Sequence, residues 1–322
     1  MHALVFDRFG GPEVLEYREL PDPAIPAGHL QLEVQAAGLN FADVYRRNGN
    51  YHLAGDPPYI CGYEGAGRVV GIGEGVSGYA IGERIAFADV PFAHATRVNV
   101  PVEHAIPLPE GISCELAAAV LLQGLTAQYL VSDSYAVQRG DVVLVHAAAG
   151  GVGQYLTQMA VARGAEVIAL VSSEDKCRLA KSRGAQHAIL NTGPWLDTVR
   201  EISRGGVHVT YDSIGATLED SFRATRAKGT VVFFGMAGGN PPLVDPRTLM
   251  DHSQHLVGGD LWSYLDSKAS RLQRAADLFA LLIAGKLTAP EIERFDLKDG
   301  ANAYRRLESR KLMGKIILVS GA

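Results

Sequence analysis

The chain is poor in cysteine. Cys61, Cys114 and Cys177, the three present in 322 residues, lie far apart and form no C-x-x-C pair, which excludes a disulfide framework and a cysteine-rich zinc lobe and fits a reducing compartment. Basic residues are not in excess either. With 30 Lys and Arg against 35 Asp and Glu, the net charge is −5, so the clustered positive charge that nucleic acid or an anionic membrane demands is not expected. No uninterrupted apolar run reaches membrane-spanning length, and the opening Met1-His2-Ala3-Leu4-Val5-Phe6-Asp7-Arg8 is charged by its seventh residue. The expectation is a soluble, cytoplasmic protein whose partners are small molecules.

What the chain does have is a strand, a small-residue turn and a helix in direct succession. Val142-Val143-Leu144-Val145-His146 is apolar and β-branched, Ala147-Ala148-Ala149-Gly150-Gly151-Val152-Gly153 follows, and the apolar positions from Gln154 to Gly164 recur at helical spacing. A further strand pattern follows at Glu166–Val171. In that context the glycines predict a dinucleotide turn: Gly150 lets backbone approach a pyrophosphate, Gly153 packs the helix on the strand, and the helix start offers free N–H groups to the anion. Ala148 occupies the first glycine position of the usual motif.

At this length two domains are expected. Residues 1–123 carry short alternating runs such as Leu30–Ala36, and glycines crowd 62–82, predicting a mostly β, barrel-like domain with bulges and sharp corners. Ser113 is placed to cap a long helix from Cys114, with the domain junction in it or just beyond. From 124 to 265 strands near 142–147, 166–171, 188–190, 207–212, 230–235 and 255–258 alternate with helices, the pattern of a doubly wound parallel α/β sheet. A helix over 268–286 and a strand over Gly314–Val319 then return the chain, through about 266–322, to complete the first domain.

Several stretches together resemble the zinc-free quinone oxidoreductases of the medium-chain dehydrogenase/reductase family: Phe9–Tyr17, Ala37–Tyr51, Gly62-Tyr63-Glu64-Gly65-Ala66-Gly67 and the Ala147–Gly153 turn. The resemblance covers nearly the whole chain. It implies a GroES-like barrel beside a Rossmann domain, cofactor and substrate meeting in the cleft between them, and a homodimer. Zinc-dependent members of the family hold their metal with a cysteine, a histidine and a second cysteine, and the matching positions here are Asn40, Tyr63 and Gln123. Zinc needs about three such ligands, so no metal site is expected. The spacing His252-x-x-His255 would set two rings on one helical face, but with no third ligand nearby it reads as two surface or interface histidines.

NAD-selective folds place an acid at the end of the second strand to hold the ribose 2′-OH. Ser172 and Ser173 stand there instead, and Lys176 can supply positive charge, which favours NADPH. Glu174 and Asp175 are read as helix-capping acids, Ser172 and Asp175 fitting a capping box. The resemblance implies the same role for Lys176; where some relatives have a tyrosine after the third strand, this chain has Asn191. Gly150, Gly151, Val152 and Gly153 should contact the pyrophosphate, and Ser213, Phe234 and Gly235 should border the ribose and nicotinamide. Thr126 and Lys315 are cofactor candidates by family position alone. On the substrate side the resemblance implies Asn40, Tyr45 and Tyr51, with Tyr63 and Gln123 as second choices filling the vacated ligand positions.

The expected activity is reduction of a small quinone by NADPH, by hydride or stepwise electron transfer. Reduction of the C=C bond of α,β-unsaturated carbonyls needs similar parts and is the alternative. A dinucleotide-binding protein with little turnover, as among the lens crystallins of this family, or an RNA-binding protein, is a third reading that the acidic net charge disfavours.

Overall fold

A computed structural model describes residues 1–320. The chain divides into two compact units, one of residues 1–122, 265–286 and from 290 onward, the other of residues 123–264 and 287–289.

The first unit is mostly β. Its early strands are β1 (His2–Phe6), β2 (Glu16–Glu19), β3 (His29–Gly38), β4 (Tyr59–Ile60), β5 (Gly65–Ile72), β6 (Arg84–Phe87), β7 (Arg97–Pro101) and β8 (Ile106–Pro107), with helix α1 (Phe41–Arg47) after β3. Period-two alternation in β3 turns Leu30, Leu32 and Val34 inward, where they meet Val69, Ile85, Phe87, Val98 and Val100 in one core. Burying each such side chain contributes roughly 1.5–3 kcal/mol. The glycine-rich stretch behaves as expected of a bent sheet: β3 pairs β5 with two register shifts, and a Cβ on Gly67 would sit 2.0 Å from the Glu33 carbonyl oxygen.

Helix α2 (Cys114–Tyr129) leads from the first unit into the second and continues as a π-turn over Leu130–Ser134. Ser113 caps it, its Oγ accepting the Leu116 N–H at 3.1 Å. By length and composition Cys114–Ser134 could cross a bilayer, yet 72% of its apolar window is buried inside the protein, as in a core helix.

The second unit alternates strand and helix: β9 (Val142–His146), α3 (Gly151–Ala162), β10 (Glu166–Val171), α4 (Glu174–Ser182), β11 (His187–Leu190), α5 (Trp195–Ile202), β12 (Val207–Asp212), α6 (Leu218–Ala224), β13 (Thr225–Phe233), α7 (Pro246–His252) and β14 (His255–Gly258). The strands lie parallel in the order β11-β10-β9-β12-β13-β14. This is the Rossmann order, whose reversal between β9 and β12 opens a crevice at the carboxyl ends of the strands. Strand β13 starts five residues before the expected 230: Thr225 pairs with Val207 and Thr230 with Val209, so the residues between them bulge out of β13, with Lys228 left-handed at φ 61°.

Helix α8 (Lys268–Ile283), strand β15 (Glu291–Asp296), helix α9 (Gly300–Glu308) and strand β16 (Gly314–Val319) complete the first unit. The last strand pairs antiparallel with β3 and parallel with β15, returning the chain to that sheet as its sequence pattern implies.

Candidate active site

In the second unit the glycine turn lies at the carboxyl end of β9, beside the switch point. Gly150 is extended at φ −77°, ψ 175° and immediately precedes α3, whose first-turn N–H groups point to where an anion binds. A Cβ on Gly153 would lie 2.4 Å from the Ala147 carbonyl oxygen and 2.7 Å from Ala148 Cα, so only glycine lets α3 press against the turn. Gly151 has a different neighbour: a Cβ there would meet the Gln123 amide at 2.1 Å. Gln123, read from sequence as filler for a lost metal ligand, therefore rests on the dinucleotide turn. Thr126 lies one helical turn further along α2, nearly buried.

At the end of β10 the capping differs from the expectation. Ser173, not Ser172, is the N-cap of α4, accepting the Lys176 N–H at 3.4 Å, and Asp175 pairs with Arg178. Ser172 is thereby left to the Lys176 ammonium, which donates to its Oγ at 3.0 Å. Partial burial holds the Lys176 pKa below the ordinary lysine value. Asn191 follows β11, its N–H bonded to the Val171 carbonyl at 2.7 Å.

The loops after β12 and β13 are tied to each other. Phe234 N–H donates to the Asp212 carbonyl at 3.0 Å and Ala237 N–H to the Ser213 carbonyl at 3.0 Å. Asp212, the last residue of β12, organises its loop: Oδ1 accepts from Ile214 N–H at 2.8 Å and Gly215 N–H at 3.0 Å, and Oδ2 from Thr217 at 2.9 Å and Ser221 at 2.6 Å. His146 Nε2 lies 3.1 Å from Ser221 Oγ, and since that hydroxyl donates to Asp212, the imidazole must donate to the hydroxyl. Burial lowers the His146 pKa. Burial works against ionising Asp212 too, but His146 and the donors around the carboxylate outweigh it and lower its pKa. The carboxyl edge thus gathers Gly150–Gly153, Ser172, Ser173, Lys176, Asn191, Ser213, Phe234 and Gly235.

In the first unit, Asn40 opens α1, its N–H donating to Asp43 Oδ2 at 2.9 Å. Its amide is buried in a charged pair: Lys315 Nζ donates to Asn40 Oδ1 at 2.7 Å and to Glu64 Oε2 at 2.7 Å, and Asn40 Nδ2 donates to Glu64 Oε2 at 2.9 Å. Lys315 and Glu64 are closed off from solvent. Tyr45 and Tyr51 are half-buried and meet edge to face at 6.5 Å. Behind them the buried Arg46 guanidinium lies 3.6 Å over the Tyr63 ring and 5.0 Å from the Tyr51 ring, donates to the His52 carbonyl at 3.1 Å, and pairs with Asp43 at 3.3 Å. Tyr63 accepts the Ala54 N–H at 3.0 Å, and burial pushes its phenol pKa up despite the nearby Arg46 charge.

The residues at the positions of the zinc ligands do not fit that metal. Asn40 already holds an ammonium, which would repel a dication, and Tyr63 is stacked under a guanidinium. Among the described residues no group of three or more His, Cys, Asp or Glu is placed to bind a metal ion. His252 and His255 do not share a helical face: the first ends α7 and the second begins β14, with Ser253 left-handed at φ 51° between them.

Residues 26–139 match the family described as alcohol dehydrogenase GroES-like domain, and residues 151–280 the one described as zinc-binding dehydrogenase. A quinone oxidoreductase of Pseudomonas aeruginosa is 38% identical, with 98% of each chain covered. The chain belongs to the medium-chain dehydrogenase/reductase family, among its quinone oxidoreductases. Another member, a 2-haloacrylate reductase of a Burkholderia species, is 33% identical over 99% of each chain. The structure of the Escherichia coli quinone oxidoreductase complexed with NADPH superposes with a TM-score of 0.95 at 34% identity, covering 99% of this chain and 100% of that one. The mostly β first unit and parallel second unit are accordingly the GroES-like and Rossmann domains of the family.

Sequence reasoning gave no role to Glu64 or Arg46 and took Asp212 only as the start of the loop bordering the nucleotide. A signal existed for two of the charges in the first unit: Glu64 is the one acid in the glycine-rich run Gly62–Gly67, and Lys315 the one charge in the apolar strand Gly314–Val319. Lone charges in otherwise buried strands require partners. Nothing local says that they partner each other.

Proposed function

We propose that the protein is an NADPH-dependent quinone reductase. The observation that carries this reading is the end of β10, where Ser172 and the Lys176 ammonium take the place of the acid that would hold an unphosphorylated ribose and repel a 2′-phosphate. The glycine turn, with Gly150 extended just before the first turn of α3, suits a pyrophosphate. Gly150, Gly151, Val152 and Gly153 would hold the pyrophosphate, Ser172, Ser173 and Lys176 the 2′-phosphate, and Asn191, Ser213, Phe234 and Gly235 the rest of the nucleotide, with Thr126 beside them.

Bound NADPH supplies a hydride, which with one proton from water converts a quinone into its hydroquinone. The chain's own part is to hold the acceptor and steady charge on its oxygen. An amide and phenols suffice, since a quinone spreads incoming charge over its ring oxygens. Asn40, Tyr45 and Tyr51 take that role in this proposal, with Arg46 fixing Tyr51 through the His52 carbonyl. The similarity to a 2-haloacrylate reductase favours, as a second reading, reduction of an activated C=C bond.

A homodimer is also proposed. Strand β14 is the last in its sheet, paired on one side by β13, and Leu256 in it and Met250 in the preceding α7 are exposed apolar residues. An open edge with apolar flanks suits the same edge of a second copy related by a twofold axis.

A steady-state assay with quinones, enones and primary alcohols, each with NADPH/NADP and NADH/NAD, tests the activity. Quinone-dependent NADPH oxidation with negligible alcohol oxidation is expected. Turnover confined to enones would favour the second reading, and robust alcohol oxidation would overturn both.

A further inference from the structure

Lys315 was a cofactor candidate by family position, but its surroundings point to another role. Its ammonium is fully buried in the first unit, 2.7 Å from Asn40 Oδ1 and 2.7 Å from Glu64 Oε2. The carboxylate is anchored in turn: Oε1 accepts the Leu122 N–H at 2.7 Å. Gly38 makes the room, because a Cβ there would come within 2.2 Å of Glu64 Oε2. Strands β3, β5 and β16, the start of α1 and helix α2 thus all contribute to seating one cation against one amide.

Solvent exclusion makes that arrangement electrostatically strong, and Glu64 offsets the cost of burying the ammonium. An ammonium on an amide oxygen draws electron density toward it and leaves the NH2 group more positive, a charge-assisted bond of about twice the neutral strength. We propose that Lys315 is a positioning residue for reduction rather than a dinucleotide ligand: it fixes and polarises the Asn40 amide as the donor to the acceptor oxygen that gains charge. An organic cation thereby stands behind the Asn40 amide, at the position where zinc-dependent relatives have a metal ligand. The proposal rests on the quinone-reductase reading for the identity of the acceptor.

Three variants test it: Lys315→Met, Lys315→Arg, and the double variant Glu64→Gln/Lys315→Met, which removes both charges and leaves no buried carboxylate unpaired should the single variant fail to fold. NADPH affinity from fluorescence titration should stay at the wild-type level in the double variant. Its kcat with a small quinone should fall by about tenfold, less than the loss from deleting a donor outright. Lys315→Arg should recover part of that loss, and the Asn40 side-chain NH2 proton resonances, assigned by their disappearance in Asn40→Asp, should lie further upfield in the double variant than in Glu64→Gln alone, where the acceptor of the Asn40 NH2 is changed in the same way. Weakened NADPH binding with unchanged kcat would make Lys315 a dinucleotide ligand and overturn the proposal, as would unchanged kcat alone. Wild-type protein inert toward every quinone would instead sink the quinone reading. The Asn40 resonances then judge the polarisation by themselves, an unmoved signal overturning it.

Discussion

Lys176 reaches back along the first turn of α4 and donates from Nζ to Ser172 Oγ at 3.0 Å. The side chain is thereby held at the end of β10, where the adenosine ribose of a dinucleotide lies in this fold. A mobile surface lysine would have to be ordered on binding; this one is already in place.

Lys176→Ala should weaken NADPH more than NADH by about 1.5–3 kcal/mol, the loss of a charged hydrogen bond to phosphate. Because burial lowers the Lys176 pKa, the cation is present in full on the acid side. The preference for NADPH should therefore decline as pH rises through that pKa, sooner than for a fully solvated lysine. Binding titrations of both cofactors across neutral and alkaline pH check this. Equal losses for the two cofactors would remove Lys176 from 2′-phosphate recognition.

Arg271 anchors α8 within the first unit from a buried position. It donates to Asp89 Oδ2 at 2.7 Å, to the Glu103 carbonyl at 2.8 Å and to the Leu265 carbonyl at 2.9 Å. Arg271→Ala removes every one of these hydrogen bonds and strips the buried Asp89 of its arginine partner, so a destabilisation of about 3–5 kcal/mol is expected in urea unfolding. A loss of about 1 kcal/mol or less, the size of a solvent-exposed pair, would show that water, or His104, whose Nδ1 lies 2.8 Å from Asp89 Oδ1, replaces the guanidinium without penalty.

The dimer proposal predicts a concentration-dependent mass. In analytical ultracentrifugation the wild type should sediment as a dimer, and Met250→Asp/Leu256→Asp, which sets charges on the flank of β14, should shift it toward monomer. A wild-type monomer at all concentrations, or a double variant as dimeric as the wild type, would exclude this edge as the interface.

Much of the architecture was legible along the chain because its causes are local. Alternation in Leu30–Ala36 marks a half-buried strand, the apolar run Val142–His146 a strand covered on both faces, and Ser113 before Cys114 a helix start. Each is decided within a few residues by backbone sterics and hydrogen bonding. The glycine turn is legible for the same reason, since strand, turn and helix there are continuous in sequence. Where two local signals competed, the outcome needed the folded backbone: Ser172 and Ser173 are both hydroxyl residues suited to a cap, and the helix starts after Ser173, with Ser172 between it and the end of β10 at Val171. His252 and His255 have helical spacing, but α7 stops at His252, so the spacing has no geometric meaning.

The acceptor side depends on contacts that no local pattern encodes. Asn40, Glu64 and Lys315 are brought together from three strands or strand ends, with Asn40 and Lys315 275 positions apart in the chain. Sequence determines that each of the two charges, set in an apolar strand, must find a partner or remain unburied. Only the pairing of β16 with β3, and of β3 with β5, decides that they find each other and enclose Asn40, because strand order and register are set by packing of the whole sheet rather than by any residue within it.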